Sequence, residues 1–458
     1  MKLMFLLLFA VPAAASTRTL TMDEFLRLAV RNDTQFEEIL IAELALKHRQ
    51  DLRLPARDFV LSVREELSAS LDIDENDDKT TAGLSKLFPL AGTELDASYT
   101  LTPPASRPNH DAAALTFALA QPIAENAFGR STRLLRKIVG LETDVARYQI
   151  VEAYEDYLAA VQGFYLDWYE AYENLQIGRS SYEENLKLLE NMRQRSNARI
   201  AKTIDVNKIE LQVLGKKEKL VDLEEAYVSR LNLVQRVLRH KSAETLVPAA
   251  PPPPAPLTGS FDEMYARFRG DSRTYRTLRL LEDKSSLEVS READALLPSI
   301  SLLFEYERRG EKPGIEKPEN KAMAGVSIEF PFFTDQQGKA AHEIAKVERR
   351  RTELATQNTH ERLRADILNL HLRMERETRL EEITDTKIRL AENVLKDESE
   401  NYTYAKASLN DYISAVNVLD ANRFSRIQHG VLRRKLRIEW SRITDRLVTE
   451  DVLRAPAR

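Results

Sequence analysis

Apolar and polar residues alternate one by one in two regions of the chain. From Phe59, the residues Leu61, Val63, Leu67, Ala69, Leu71 and Ile73 share one parity, broken only by Glu65. Ser62, Arg64, Glu66, Ser68, Ser70 and Asp72 take the other. In the second half Ile300, Leu302, Phe304 and Tyr306 alternate with Ser299, Ser301, Glu305 and Glu307, with Leu303 the exception. Ala324, Val326, Ile328 and Phe330 alternate with Ser327 and Glu329. A period of two puts such sets on opposite faces of a strand. Leu95, Ala97, Tyr99 and Leu101 alternate in the same way, and Leu84 to Leu90 is placed to pair with them across Ala91-Gly92. A half-buried strand of a soluble sheet shows this pattern, and so does the wall of a membrane barrel, apolar toward lipid and polar toward water. The runs from Phe59 and from Leu297 reach the roughly 9–11 residues that a crossing needs. Four to six strands do not close a large barrel, so such a barrel would be shared by several chains.

The other dominant spacing is helical. Arg130 to about Asn197 contains no proline and three glycines, Gly140, Gly163 and Gly178, and Lys339 to about Ala405 contains neither residue type. About 65 helical residues make a rod of roughly 100 Å, several times the usual length. Such rods must bury a stripe. Leu186, Leu189, Ile209, Val213, Leu220, Leu223, Tyr227, Leu231 and Val234 supply one, and Ile383, Leu390, Val394, Leu409, Ile413, Val416 and Leu419 another. Both have the three-and-four spacing of coiled-coil packing.

The two patterns occur twice, in the same order. Asp23-Glu24-Phe25 and Asp262-Glu263-Met264 each open a helix, Pro55 and Pro298 each precede strands, and Gln121-Pro122 and Phe330-Pro331 each end them. A very long helix follows, then a break (Thr203-Ile204-Asp205-Val206 or Leu409-Asn410-Asp411-Tyr412), then a returning helix. The predicted organisation is a first repeat over 16–240, with strands about 57–122 and a turn near 198–206, and a second over 261–448, with strands about 297–332 and a turn near 404–411. A stiff proline-rich linker over 241–260, with the run Pro251 to Pro254, joins them, and 449–458 is a tail. Pro55 and Pro298 are 243 residues apart but Pro122 and Pro331 only 209, so the first half carries 34 extra residues, around Asp74 to Asp111.

Composition narrows the setting. Lys2, the apolar Leu3 to Val11 and Ala13-Ala14-Ala15 form a signal-peptide pattern ending near residue 15. The sequence has no cysteine, which removes disulfides, thiolate metal sites and a cysteine-linked lipid anchor. Sixty-seven basic and 72 acidic residues leave a net charge of −5, without the basic excess of a nucleic-acid binder. The seven histidines are scattered, and no phosphate loop, HExxH or G-x-S-x-G motif occurs. No catalytic activity, cofactor or metal is expected. Carboxylates such as Glu381-Glu382, followed by Lys387 and Arg389, have the pattern of a solvated helix face.

Taken together, the segments Leu20-Thr21-Met22-Asp23-Glu24-Phe25-Leu26-Arg27-Leu28-Ala29, Leu297-Pro298-Ser299-Ile300-Ser301-Leu302 and Val326-Ser327-Ile328-Glu329-Phe330-Pro331-Phe332-Phe333, with the two breaks, resemble the TolC-like outer-membrane efflux protein family over about residues 18–448. The resemblance implies a mainly α fold with β: a long-helix α-barrel plus a shared transmembrane β-barrel, two structural repeats per chain, in a homotrimer. It implies an outer-membrane channel subunit whose helices lie in the periplasm, acting as the passive exit duct of a tripartite efflux or type I secretion system. The partners implied are other copies of the chain, outer-membrane lipid, a periplasmic adaptor (membrane fusion) protein at the helical tips, and an inner-membrane pump of RND, ABC or MFS type. Gating falls to Asp411, Ser414 and Asp205, adaptor docking to Lys202, Thr203, Lys406 and Ser408, and the barrel lumen to Glu305, Glu307 and Glu329. Some members carry two tip acids three residues apart, where this chain has Asp411 and Ser414. Three copies of Asp411 near one axis would repel and raise each other's pKa, while Asp411 and Asp205 also suit plain helix N-terminal capping. The chain departs from the family at the glycine pairs after the strands, where it has Asn126-Ala127-Phe128-Gly129 and Asp335-Gln336-Gln337-Gly338. The extra segment either adds membrane strands, for 18 rather than 12 in a trimer, or forms an extracellular hairpin. A periplasmic coiled-coil protein without a pore is the alternative reading, as is an outer-membrane protein that binds partners without an open pore. The cargo is not legible.

Overall fold

The computed structural model describes residues 17–55, 58–69, 76–102, 113–239, 245–330, 336–404 and 406–448. The expected leader and tail and Pro331-Phe332-Phe333 lie outside the described residues, as do Ser70 to Ile73 of the first alternating run. In chain order the elements are β1 (Thr17–Leu20), α1 (Met22–Asn32), α2 (Thr34–Arg53), β2 (Val60–Ala69), β3 (Asn76–Phe88), β4 (Thr93–Leu101) and β5 (Ala113–Pro122). Then come α3 (Arg130–Asn197), α4 (Thr203–Leu238), β6 (Thr245–Pro248), α5 (Phe261–Asp271), α6 (Arg273–Asp294), β7 (Ser299–Gly310), β8 (Glu319–Glu329), α7 (Gln336–Thr403) and α8 (Leu409–Ile443). Both long helices have 68 residues. No described helix is long and apolar enough to cross a membrane.

Two units can be separated, and each takes segments from both halves of the sequence. The first comprises residues up to Ile41, Ile150–Ser272 and residues from Arg362 onward. Its core is aromatic. Phe25, Tyr165 and Trp168 are fully buried, with Phe25 and Tyr165 ring centres 5.7 Å apart. The Phe36 ring packs tilted, its centre 5.3 Å from those of both Tyr154 and Tyr157. The Tyr165 hydroxyl lies 2.8 Å from the Leu20 carbonyl and 2.7 Å from that of Ala249, so its proton ties the end of β1 to the segment after β6. Thr21 caps α1 by accepting from the Glu24 N–H, and Ser260 with Glu263 forms a capping box at α5.

The segment expected to be a simple linker does more than span. Residues 245–248 form β6, which pairs in parallel with β1, Thr19 opposite Val247. Leu246 becomes core at 2 % exposure. Without a partner in view, four residues beside a proline run carried too short a pattern to register as a strand.

The second unit, Ala42–Gln149 and Arg273–Glu361, holds one six-stranded sheet in the order β2-β3-β4-β5-β7-β8, every neighbouring pair antiparallel. The 34 extra residues supply β3 and β4. They lie between β2 and β5, so the sheet is continuous only through them. Phe88 opposes Thr93, which puts the predicted turn at 89–92 with Gly92 at φ +69°.

Candidate pore wall and tip

The register of the sheet sorts its side chains into two faces. Leu61 opposes Leu84, Leu84 opposes Ala97, Ala97 opposes Phe117, Phe117 opposes Tyr306, and Tyr306 opposes Ala322. All six strands therefore contribute to one apolar face. It also holds Phe59, Val63, Phe88, Leu95, Leu119, Leu302, Phe304, Val326 and Ile328. None of the described residues covers it: Leu61 is 73 % exposed, Val63 70 % and Val326 58 %. The opposite face carries Ser62, Arg64, Asp96, Ser98, Thr116 and Lys321, with Glu305, Glu307 and Glu329 in the same parity. Glu307 is paired with Arg309 at 2.7 Å.

Polar residues on the apolar face sit at its margins. Lys86 lies at the helix-side end, 4.0 Å from the Phe59 ring centre and 5.4 Å from that of Phe88. At the other end, Tyr99 donates to the Pro313 carbonyl at 2.6 Å and Tyr306 to Asn320 at 3.1 Å. Arg308 and Asn320 fall in the same cross-strand row as Tyr99 and Leu115, and Glu65 lies one row beyond. Glu65 thus stands just past this margin, with exposed Leu67 one row further out on the same face. Thr93, opposite Phe88, and Tyr99 are six positions apart, roughly 20 Å at 3.4 Å per residue.

The first unit holds the two helical turns. At the second, Ser408 caps α8 and forms a capping box: its hydroxyl accepts from the Asp411 N–H at 3.3 Å. In return the Asp411 carboxylate accepts the Ser408 N–H at 3.1 Å and its O–H at 2.7 Å. These bonds favour the charged form and hold Asp411 below its usual pKa, 3.8. Within one subunit the direction is therefore opposite to the rise expected for clustered copies. At the first turn the equivalent position is Lys202, which makes no side-chain cap; Asp205 stands in the first turn of α4. Lys202, Thr203, Lys406, Ser408 and Ser414 are exposed.

The turns meet in one cluster. Leu189 and Met192 of α3, Ile209 and Val213 of α4, and Leu409 of α8 are buried together, with Tyr402 and Ile413 against them. Tyr402 stacks on Tyr412 at 5.9 Å, and Arg195 lies 5.5 Å above its ring. A polar seam joins α4 to α8: Lys208 to Asn410 at 3.4 Å, Gln212 to Asn417 at 2.7 Å, and Lys216 to Asp420 at 2.6 Å. Not all of the predicted stripe is packed. Ile383, Leu390 and Val394 of α7 are 55 %, 59 % and 51 % exposed, and Leu211, Leu214, Val221 and Val228 of α4 are also open.

No protein-family model matches this sequence, and no curated protein matches it either. Solved structures do. CusC, described for the changes that accompany its folding and transmembrane channel formation, superposes with a TM-score of 0.70 at 11 % identity, over 95 % of each chain. The outer membrane protein VceC from Vibrio cholerae superposes at 0.69 and 12 % identity, over 92 % of this chain and 95 % of its own. The MtrE outer membrane channel from Neisseria gonorrhoeae superposes at 0.63 and 13 % identity, over 92 % of this chain and 88 % of its own. The chain has the TolC-like fold shared by these outer-membrane proteins.

Within this TolC-like fold, the passage from sheet to helix is built without the expected glycine pair. Asn126 and Phe128 take left-handed φ of 53° and 47°, followed by Gly129 at 75°. The Asn126 N–H donates to Asp294 at 3.1 Å, and Asn126 accepts from the Thr132 N–H at 3.2 Å. Asp294, wholly buried and 3.6 Å from Arg130, anchors the turn. Asparagine tolerates the left-handed region because its short amide bonds locally. Burial and the nearby Asp294 push the Glu125 carboxyl up.

Other functional-looking contacts left no sequence signal. Glu381, expected to be solvated, reaches Arg433 at 2.8 Å across α7 and α8. His429, one of the scattered histidines, lies 2.8 Å from the buried Glu377. Desolvation pushes Glu377 up, but hydrogen bonds from Arg376 and His429 outweigh it and the net direction is down. Each pair is about 50 residues apart in sequence, so no local pattern marks it.

Proposed function

We propose that this chain is the outer-membrane channel subunit of an efflux or type I secretion system and works as a passive exit duct. The observation that carries the reading is the two-faced sheet, whose apolar face spans all six strands and is left open by the described residues. A soluble sheet of this size would lay that face on a core. Lipid covers it instead, with aromatic and charged residues at its margins, as in barrel girdles. The polar face lines water, with Glu305 and Glu329 on it; Glu307 shares that face but is buried at 8 % exposure against Arg309.

Three copies close the barrel and the helical duct. The open stripes on α4 and α7 supply apolar surface for contacts between copies. The turns form the periplasmic tip. Asp411, Ser414 and Asp205 face its opening, and Lys202, Thr203, Lys406 and Ser408 offer the rim to an adaptor protein. Energy comes from an inner-membrane pump, so the chain needs no catalytic group or cofactor. Opening is a shift of packed helices between discrete arrangements. Purified protein in planar lipid bilayers tests the proposal: discrete conductance steps from a detergent-stable trimer are expected. A water-soluble protein extracted without detergent would instead favour the coiled-coil alternative.

A further inference from the structure

Among the described residues the sheet has two unpaired edges, β2 and β8, and the inserted strands β3 and β4 stand inside it. We infer that β2 of one copy pairs with β8 of the next, so that the barrel is an 18-stranded wall to which each of three copies gives six strands. The inference rests on the trimeric duct proposed above and adds the size of its outer-membrane opening.

Three observations carry it. The first is order. A hairpin standing outside the wall would require β2 to pair with β5, yet β2 pairs with β3 along Val60↔Ser85 to Ala69↔Asn76, and β5 pairs with β4 along Glu94↔Ala120 to Leu101↔Ala113. Removing the hairpin from the wall would break both ladders. The second is height. The inserted strands carry the same faces and the same apolar band as the rest: Leu84, Leu95 and Ala97 continue the rows of Leu61, Leu119 and Phe117. Tyr99 of the inserted β4 lies one row from Tyr306 of β7 at the same margin. A hairpin raised above the rim would have no reason to share the band. The third is parity. Six successive antiparallel strands leave β2 and β8 running in opposite directions, so copies placed side by side continue the antiparallel pattern through any number of subunits.

The edges themselves are suited to pairing. β2 has 10 residues and β8 has 11, without proline. Long edges with an exposed apolar face are templates for further pairing unless blunted. Barrel diameter grows roughly linearly with strand number, so 18 strands give about 1.5 times the width of 12, in the size class that holds an aqueous channel.

Electron microscopy of the detergent-solubilised full-length trimer reads the wall directly, and 18 strands are expected. Cysteine pairs give an independent arm, because the native chain has no cysteine. Leu61→Cys on β2 is combined in turn with Ala322→Cys, Ala324→Cys and Val326→Cys on β8, followed by oxidation in membranes. Covalent dimers and trimers that disappear on reduction are expected from at least one pair, and none from the single variants. A trimer whose wall shows 12 strands, with residues 76–101 outside it, overturns this inference and leaves the duct intact. A protein that forms no multi-chain barrel overturns both.

Discussion

Lys216 Nζ lies 2.6 Å from Asp420 Oδ2, joining the returning helix of the first half to that of the second. Their side chains are 17 % and 7 % exposed, and the Ser181 hydroxyl of α3 bonds the same carboxylate oxygen. Three helices thus converge on one buried charge. Removing one partner of such a pair typically costs about 3–5 kcal/mol, because it strands the other. Lys216→Met is expected to destabilise by an amount at the lower end of that range, since part of the lysine is solvated. The double variant Lys216→Met/Asp420→Leu should recover most of the loss. Denaturant unfolding of the four proteins of this cycle checks the point, and equal losses in single and double variants would show the pair to be incidental.

The two faces of the sheet predict opposite responses at adjacent positions. Phe304→Arg places a charge in the apolar band, where arginine costs about 2–4 kcal/mol at mid-depth. Glu305→Arg, one residue on, changes only the polar side. The first should reduce the yield of heat-resistant oligomer in membranes, and the second should leave yield unchanged while shifting ion preference. Similar yields for both would contradict the assignment of faces.

Asp411 closes the cap of α8 and, in the proposed duct, faces the tip opening. Its folded pKa is depressed, so the capping contribution is full above the ordinary value of 3.8 and is lost as pH falls through the lowered one. Asp411→Asn keeps the side-chain shape, removes the charge and should flatten that acid dependence. In bilayers it should also lower the preference for cations over anions. Ser408→Ala weakens the cap without touching the charge, so it should alter acid stability but leave selectivity in place.

The turn between β3 and β4 packs on the start of α3. A Cβ on Gly129 would meet the Leu90 carbonyl oxygen at 2.5 Å, and its φ is +75°. Gly129→Ala is therefore expected to destabilise by roughly 1–3 kcal/mol, the cost of strained backbone. Gly140, in the helix interior with nothing within 4 Å, is the contrasting site. Gly140→Ala should stabilise by about 0.4–1 kcal/mol through helix propensity and unfolded-state entropy. Thermal melts of the two variants are expected to move in opposite directions.

Much of this molecule is legible in one dimension because its regular elements are long. A 68-residue helix and strands of 9–13 residues repeat their period often enough to stand out from local noise. The alternation from Phe59 and from Ile300 determined which side chains share a face, and the doubled order of landmarks located the extra segment of the first half. Strand order was decided only by the fold. Whether that segment joins the wall depends on which of β3 and β5 pairs with β2, and the apolar pattern is the same for either partner. The short β1–β6 pair, the Lys216–Asp420 contact and the His429–Glu377 contact escaped for a related reason. Each joins positions far apart in the chain, and a lysine that will be buried beside a carboxylate has no local pattern to distinguish it from one in water. Composition and periodicity report what a residue does to its own helix or strand, whereas pairing across elements exists only once the chain has brought them together.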